Sequence, residues 1–312
     1  MTKPLAPFLL AVGGAHPDRR GQVDGAYVPG ASNPGSMRES IGGGVFNAAR
    51  TAAVSGLRIS LLSARGGDMA GAAVEAAIAE AGLGDLSPTF LDRRTPSYTS
   101  LLDRAGEQIA GLADMTLYES AFLRILGRKP VRAAIAAAGA VLCDANPSAQ
   151  ALAALAQKSG DKPLYAIAVS PAKAVRLAPL LPRIACLFMN HAEAVALAAV
   201  VEPAAKGHPL EALGAAGLRA AVITAGSLPL SVLDGDTQFS LLPPKARRLR
   251  DVTGAGDALA GATVGALMHG ASLRDAVLHG MAAAAATVET EASIADPARL
   301  SHYLDEARRL NP

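Results

Sequence analysis

Asp251-Val252-Thr253-Gly254-Ala255-Gly256-Asp257 is the most informative stretch of this 312-residue chain, and a long apolar segment follows it. Two glycines around an alanine allow a tight turn whose N–H groups point outward at the start of a helix. The positive end of the helix dipole favours negative charge at the same place. We therefore predict an anion-binding turn formed by the backbone of Gly254, Ala255 and Gly256.

Asp257 stands directly beside this turn, where its carboxylate would repel a bound anion. For an arbitrary GxGD sequence, a simple acidic charge at a helix N-terminus is the alternative interpretation. The position makes chemical sense if the carboxylate accepts a proton from a hydroxyl group that attacks a bound phosphoryl group. We therefore predict that Asp257 is a general base and that the neighbouring amides stabilise the developing negative charge.

The composition limits the classes of function. Tryptophan is absent and only 4% of residues are aromatic, so Ala, Leu, Val and Gly must fill the core. A net charge of +2 gives no argument for a nucleic-acid or membrane partner. Cys143 and Cys186 lie in apolar runs and are expected to be buried thiols. No signal peptide or transmembrane segment is visible, and we expect a cytoplasmic protein.

Short apolar runs alternate with Ala- and Leu-rich segments along most of the chain. This order predicts an α/β sheet with helices on both faces. The predicted strands are Phe8–Val12, Ile59–Ser63, Ala140–Cys143, Leu164–Val169, Ile184–Met189, Ala220–Thr224 and Leu230–Leu233. The predicted helices are Asn47–Ser55, Met69–Ala81, Ser148–Lys158, Ala192–Val200, Leu210–Ala216, Ala255–His269, Leu273–Glu289 and Ala298–Leu310.

Two segments interrupt this alternation. Residues 18–40 are polar and rich in Gly, Pro, Ser and Asn, whereas residues 95–113 alternate like antiparallel strands around a turn at Asp103–Gly106. Antiparallel ribbons inside an α/β chain indicate a small β-sheet lid. A long surface hairpin is the alternative. Exposed lid strands would gain from pairing with a partner's lid in a homodimer, but the sequence does not establish the oligomeric state.

The DxTGAGD segment resembles the C-terminal signature of the ribokinase-like (PfkB-type) carbohydrate and nucleoside kinases. It is not a Walker P-loop, since no GxxxxGK[ST] occurs, and Gly42-Gly43-Gly44 lacks the Rossmann spacing. Further segments match the family in order, so the resemblance covers nearly the whole chain. It implies one kinase domain over residues 1–312, with a three-layer α/β/α sandwich and a small β-sheet lid.

The resemblance also implies an acceptor site. Gly13-Gly14-Ala15-His16-Pro17-Asp18 resembles the opening strand and turn whose Asp binds sugar hydroxyls, although Asp18 alone is equally an ordinary turn carboxylate. Gly42-Gly43-x-x-x-Asn47 resembles the N-terminal signature, in which glycines let the backbone approach the sugar. Its Asn hydrogen-bonds a hydroxyl, whereas a helix cap is the structural alternative. The implied acceptor residues are Asp18, Gly42, Gly43, Asn47 and Ser97.

The resemblance also implies a donor side of the site, where ATP binds as the phosphate donor. Asn190-His191-Ala192-Glu193 resembles the NxxE motif associated with Mg²⁺ and its water, and Thr224-Ala225-Gly226 resembles the loop that borders the nucleotide. Glu193 would act on Mg²⁺ through water, or be an ordinary helix charge. A K⁺ site near Asp251–Thr253 occurs in the family, but this sequence does not establish it. The implied ATP-binding residues are Asn190, Glu193, Thr224, Gly226, Thr253 and Lys173, the last being solvated in the alternative interpretation.

Within the family, several lid and substrate-side segments look like those of pseudouridine kinases. This resemblance implies phosphorylation of the 5′-hydroxyl of pseudouridine. The alternatives are another ribose-like sugar, nucleoside or sugar acid, or a non-catalytic ligand-binding protein with the same fold. Pro229, Ile167-Ala168, Phe46 and Gly44 depart from the family pattern. The segments that carry the resemblance are Ser32–Gly35, Pro96–Asp103, Gly106-Glu107, Ala113–Met115, Asp144–Asn146 and Val169-Ser170 with Lys173.

Overall fold

The apolar strand Phe8–Val12 lies at the middle of the main sheet, and all five of its residues are buried. Successive side chains of a strand point to opposite faces. Leu9 and Ala11 accordingly join one hydrophobic cluster, and Leu10 and Val12 join another. A strand that is apolar on both faces is typical of a parallel sheet covered by helices on each side.

The computed structural model describes residues 6–203, 208–290 and 297–312. In chain order its strands are β1 (Phe8–Val12), β2 (His16–Val23), β3 (Gly35–Gly42), β4 (Arg58–Leu62), β5 (Arg65–Gly66), β6 (Gly84–Asp85), β7 (Thr89–Phe90), β8 (Ser97–Leu102), β9 (Gln108–Asp114), β10 (Ala140–Asp144), β11 (Leu164–Ile167), β12 (Cys186–Asn190), β13 (Ala220–Ala225), β14 (Leu228–Asp234) and β15 (Thr237–Leu241).

Helices cover both faces of the sheet. They are α1 (Gly44–Ala53), α2 (Met69–Glu80), α3 (Thr116–Ile125), α4 (Lys129–Ala137), α5 (Ala149–Ser159), α6 (Pro171–Ala174), α7 (His191–Val201), α8 (Pro209–Ala215), α9 (Ala255–Met268), α10 (Leu273–Thr287) and α11 (Pro297–Leu310). A 3₁₀ helix spans Val175–Arg183. Across the described ranges, no helix is both long and apolar enough to cross a lipid bilayer.

The main sheet has nine strands in the order β15-β14-β13-β12-β11-β10-β1-β4-β6. All neighbours pair in parallel except β14 and β15, which form an antiparallel edge. One face packs against α3 to α8, and the other packs against α1, α2 and α9 to α11. The predicted three-layer α/β/α sandwich is therefore confirmed, and ligand crevices in such folds lie at the carboxyl ends of the parallel strands.

A separate four-stranded sheet, in the order β3-β2-β8-β9, forms the lid. Both hairpins are antiparallel, but β2 and β8 pair in parallel and so join the two hairpins into one sheet. The predicted lid segments, residues 18–40 and 95–113, fall within it. The alternative of an isolated surface hairpin is wrong, because the second segment pairs with the first.

The predicted strands and helices are all present, and the largest displaced end is the start of α1 at Gly44. The sequence analysis missed α3, α4, α6, the 3₁₀ helix and β15. In α3 the buried residues have helical spacing, so the signal was present. The 3₁₀ helix contains Pro179 and Pro182, which disguise a helical segment in the sequence. Cys143 and Cys186 are buried free thiols, as predicted.

Helices α1 and α9 pack unusually closely. A Cβ atom at Gly261 would lie 2.1 Å from the carbonyl oxygen of Ala48, so only glycine permits this approach. A Cβ atom at Gly265 would lie 2.7 Å from Ser55 Oγ. The contact brings the start of α9, with its glycine-rich turn, against the start of α1.

Candidate active site

The Gly254–Gly256 turn has the geometry of an anion site. Gly254 is the N-cap of α9 with a φ of 78°, a left-handed conformation that glycine adopts without strain. A Cβ atom at Gly256 would meet no other atom within 4 Å, so the backbone faces open space. The first amides of a helix have no intrahelical acceptor, and they can therefore bind a phosphoryl oxygen here.

A cavity of about 240 Å³ opens over this turn. The structure brings predicted residues from three separate segments to its walls: Asn190, Glu193, Thr224, Gly254, Gly256 and Asp257. The remaining wall is apolar and consists of Ile167, Val169, Phe188, Met189 and Leu259. A larger groove of about 560 Å³ between α1, α9, α10 and α11 contains none of the predicted site residues.

Asp257 is half-buried on the first turn of α9 and accepts a hydrogen bond from Asn47 Nδ2 at 3.0 Å. Burial, assisted by the carboxylates of Asp144, Asp18 and Glu193, raises the pKa of Asp257 to about 7, although the hydrogen bond from Asn47 lowers it. A carboxyl group with a pKa near neutrality is well matched to general-base chemistry.

Asp18 and Asn47 lie on one wall of the site, next to Gly42. A Cβ atom at Gly42 would lie 2.2 Å from Asp18 Oδ2 and 3.8 Å from Asn47 Nδ2. Gly43 has a φ of 115° and no room for a side chain, because its Cβ would lie 2.4 Å from the carbonyl oxygen of Gly14. Both predicted glycines are therefore required by the shape of this wall.

Asp144, at the carboxyl end of β10, is a site residue whose role the sequence analysis did not predict. Its buried carboxylate accepts hydrogen bonds from the backbone amides of Gly14, Val45 and Asn146, at 2.8, 3.3 and 2.9 Å, and from Asn146 Nδ2 at 2.9 Å. It therefore ties the loop after β1 to the start of α1. An acidic residue that ends a fully apolar strand was the available signal.

Tyr118 was also missed, because it lies on the unpredicted helix α3. Its buried hydroxyl donates to the carbonyl oxygen of Ala15 at 2.8 Å and lies 3.3 Å from His16 Nδ1. His16 Nε2 in turn lies 3.3 Å from Asp18 Oδ1. Burial raises the pKa of the Tyr118 phenol, which stays protonated as a donor. This chain of contacts holds the Asp18 carboxylate in place.

Asn190 and Glu193 form a capping box at the start of α7. The Glu193 amide donates to Asn190 Oδ1 at 2.9 Å, and the Asn190 amide donates to Glu193 Oε2 at 2.8 Å. Burial raises the pKa of Glu193. The carboxylate thus has a structural partner while it also lines the cavity.

A Mg²⁺ ion usually keeps several waters and binds substrate phosphates together with one or two carboxylates. In residues 6–203, 208–290 and 297–312, no group of three or more His, Cys, Asp or Glu side chains converges to hold a metal ion. Besides the predicted base Asp257, Glu193 contributes one carboxylate to the cavity wall, which fits a Mg²⁺ that takes its other ligands from phosphate and water.

Three further predicted residues lie around the donor side. Thr224 ends the parallel part of β13 and lines the cavity. Gly226 forms the turn between β13 and β14 with a φ of 64°. The Thr253 amide donates to Asp251 Oδ1 at 2.8 Å, which fixes the backbone entering the anion turn.

Ser97 and Lys173 lie elsewhere. Ser97 is the first residue of lid strand β8, next to Tyr98, which pairs in register with Asp18. Lys173 donates to Asn146 Oδ1 at 2.7 Å, and burial lowers the pKa of its ammonium group. Since Asn146 lies against Gly14 and Asp144, Lys173 is on the Asp18 side of the site.

The pfkB family carbohydrate kinase profile matches residues 7–299. The chain belongs to this family. It is similar to a carbohydrate kinase from Agrobacterium tumefaciens, with 43% identity, a TM-score of 0.82 and coverage of 96% of this chain and 97% of that one. The Escherichia coli (strain K12) pseudouridine kinase is 29% identical over 81% of both chains. Arabidopsis thaliana ribokinase, solved with ribose and ATP, shares the fold at 18% identity, with a TM-score of 0.82 over 96% and 99% of the chains.

This pfkB-family protein is an ATP-dependent carbohydrate or nucleoside kinase, as the resemblance implied. The alternative of a non-catalytic ligand-binding protein loses its support, because the anion turn and Asp257 are both intact and face a shared cavity.

An ion pair connects the lid of this kinase to its anion turn. Arg20, on lid strand β2, donates through Nη1 to Asp251 Oδ2, and both side chains are partly buried. Burial raises the pKa of Asp251, but hydrogen bonds from Thr253 and Arg20 outweigh it and hold the pKa below its ordinary value. The lid therefore contacts the carboxylate that orders the entry to the turn.

Replacing Arg20 with Gln should loosen the anion turn, because Asp251 loses its cationic partner. We expect faster hydrogen–deuterium exchange in peptides that cover residues 251–256, measured by mass spectrometry. Arg19→Gln is the matched control, since Arg19 pairs with Glu39 inside the lid. Equal exchange in both variants and the wild type would show that the lid does not stabilise the turn.

Proposed function

We propose that this kinase transfers the γ-phosphoryl group of ATP to the 5′-hydroxyl of pseudouridine, giving pseudouridine 5′-phosphate. The 3.0 Å contact between Asn47 and Asp257 carries the proposal, because it joins the residue proposed as base to a residue proposed to bind the acceptor. The similarity to the Escherichia coli pseudouridine kinase over 81% of the chain supports this acceptor. The resemblance of the lid and substrate-side segments supports it as well.

In this proposal the donor and acceptor meet at the start of α9. ATP occupies the cavity beside Asn190, Glu193 and Thr224, with its γ-phosphate at the amides of the Gly254–Gly256 turn. Glu193 would hold Mg²⁺, which would neutralise phosphate charge. The ribose lies against Asp18 and Asn47 on the acceptor wall, with Gly42 and Gly43 allowing close approach and Ser97 contributing from the lid.

The proposed reaction couples one proton transfer to one phosphoryl transfer. Asp257 accepts the proton of the 5′-hydroxyl as its oxygen forms a bond to the γ-phosphorus. The bond between that phosphorus and the oxygen of the leaving ADP breaks, and the amides of the turn stabilise the charge on the transferred group. Closure of the lid over the acceptor excludes water and limits wasteful hydrolysis of ATP.

The choice of acceptor is tested by an ADP-release assay with pseudouridine, uridine, ribose and a sugar acid. We expect kcat/KM to be at least roughly 100-fold higher for pseudouridine than for ribose, because a site that hydrogen-bonds a nucleobase leaves its polar groups unpaired with ribose. Equal or higher activity with ribose would reject pseudouridine as the acceptor and favour a ribose-like substrate.

The base is tested by replacing Asp257 with Asn, which preserves shape and removes the proton acceptor. Turnover should fall by about 10²–10⁴-fold, the usual contribution of general-base catalysis. Binding of the acceptor and ATP, measured by calorimetry, should be retained. Asp236→Asn, at an exposed position between β14 and β15, is the matched control. Undiminished turnover in Asp257→Asn would remove Asp257 as the base.

We further propose that the lid forms a homodimer contact. Its sheet has open edges at β3 and β9, and it exposes Met37 and Leu112, at 64% and 71%. Open strand edges with exposed apolar residues favour pairing with another chain.

Light scattering should give twice the 31.5 kDa chain mass for the wild type and a lower mass for Met37→Glu, because a charge would be buried in the contact. Val200→Glu serves as the control, since Val200 is 53% exposed near the end of α7, a helix that packs against α6, α8 and the main sheet. A monomeric wild type at all concentrations would contradict the proposal.

A further inference from the structure

Arg50 is a half-buried cation directly behind the site. It lies on α1 one turn after Phe46, and its guanidinium stacks over that ring with 4.5 Å between Cζ and the ring centroid. Its Nη2 donates to Asn47 Oδ1 at 2.6 Å, and its buried Nε has no hydrogen-bond partner among the described residues. Burial lowers the pKa of Arg50, while the fields of Asp257 and Glu80 oppose this change.

Arg50 determines which way the Asn47 amide points. The oxygen and nitrogen of an asparagine amide have nearly the same shape, so only hydrogen-bond partners distinguish its two orientations. A guanidinium can only donate, and Asn47 Oδ1 must therefore face Arg50. This leaves Nδ2 facing Asp257 Oδ2 at 3.0 Å, where it can donate. The reversed amide would place its oxygen against the carboxylate and repel it.

Apart from Arg50, the charged groups described around Asp257 are carboxylates. Asp144 from β10, Asp18 from β2 and Glu193 from α7 all disfavour its ionised form. The phosphates of a bound nucleotide would add more negative charge on the same side. Arg50, on α1, is a cation whose field reaches Asp257 from behind Asn47. The field of Arg50 therefore has its largest effect on the ionisation of Asp257 when a nucleotide is bound.

We propose that Arg50 is a positioning residue for phosphoryl transfer: acting through Asn47, it holds Asp257 oriented and ionised while phosphates fill the site. The inference rests on the proposed role of Asp257 as base, but not on which alcohol is the acceptor. It assigns a function to a half-buried cation whose side chain makes, in the described structure, one hydrogen bond, to a neutral amide.

The test is the pH dependence of kcat/KM in Arg50→Met, which keeps side-chain length and removes the charge. The wild type should lose activity below about pH 7, as Asp257 becomes protonated. Without the cation the protonated form of Asp257 is favoured, so the acid limb of the pH profile should move to a pH about 1 unit higher. Near pH 6, kcat/KM of the variant should be roughly tenfold below that of the wild type, and near pH 9 most of the activity should return.

Three variants separate positioning from a merely structural role. Arg58→Met is the matched control, because the Arg58 guanidinium stacks over Phe8 at 4.4 Å but contacts no site residue; its pH profile should equal that of the wild type. Arg50→Lys keeps the charge and should restore the acid limb. In Asn47→Ala/Arg50→Met, the loss in kcat should be smaller than the combined single losses, as expected for coupled residues. An equal loss at every pH, or additive losses, would overturn the proposal.

A second measurement does not depend on turnover. The pKa of Asp257 can be followed by NMR in protein labelled with ¹³C at the aspartate carboxyl carbons, with the signal assigned by Asp257→Asn. It should be higher in Arg50→Met than in the wild type, and an unchanged value would overturn the proposal. If Arg50→Met raised the pKa of Asp257 but the wild type transferred no phosphate, the proposed function would fail. The effect of Arg50 on Asp257 would still stand.

Discussion

The close contact between α1 and α9 is the constraint on which the site depends. Gly261 lets the two helices approach until its α-carbon faces the carbonyl oxygen of Ala48. At the start of the same pair, Asn47 and Asp257 meet at hydrogen-bond distance, and the amides of α9 open toward the cavity. The contact between these two helices thus positions Asn47, Asp257 and the Gly254–Gly256 turn, which are the proposed acceptor residue, base and anion site. A shift between the helices would separate all three.

The electrostatics of the site balance two opposed requirements. In the proposed reaction, backbone amides and a helix dipole attract the phosphoryl group, while the carboxylate of Asp257 next to them must remain available to take a proton. Burial and neighbouring carboxylates bring the pKa of Asp257 to about 7, so a small change in nearby charge alters its ionisation near neutral pH. The Arg20–Asp251 pair at the lid and the Arg50–Asn47 contact on α1 are two places where cations act on this arrangement.

The fold and the residue types of the site could be predicted because their signals are local. Apolar runs, glycine-rich turns and the Asp251–Asp257 stretch each report the chemistry of a few adjacent residues. The contacts that were missed join distant segments: Arg20 and Asp251 are 231 residues apart, and Gly14 and Asp144 are 130 apart. Nothing in either local sequence selects such a partner. Glu193 was predicted only in part: its sequence motif was recognised, but its hydrogen bond to the amide of Asn190 was found only in the structure.

A crystal structure with a non-hydrolysable ATP analogue and pseudouridine tests the central claim most directly. The account predicts that the 5′-hydroxyl of the acceptor lies within hydrogen-bond distance of the Asp257 carboxylate. It also predicts that the terminal phosphate of the analogue receives hydrogen bonds from the amides of Gly254–Gly256. An acceptor bound away from Asp257, or a terminal phosphate that does not touch this turn, would contradict it.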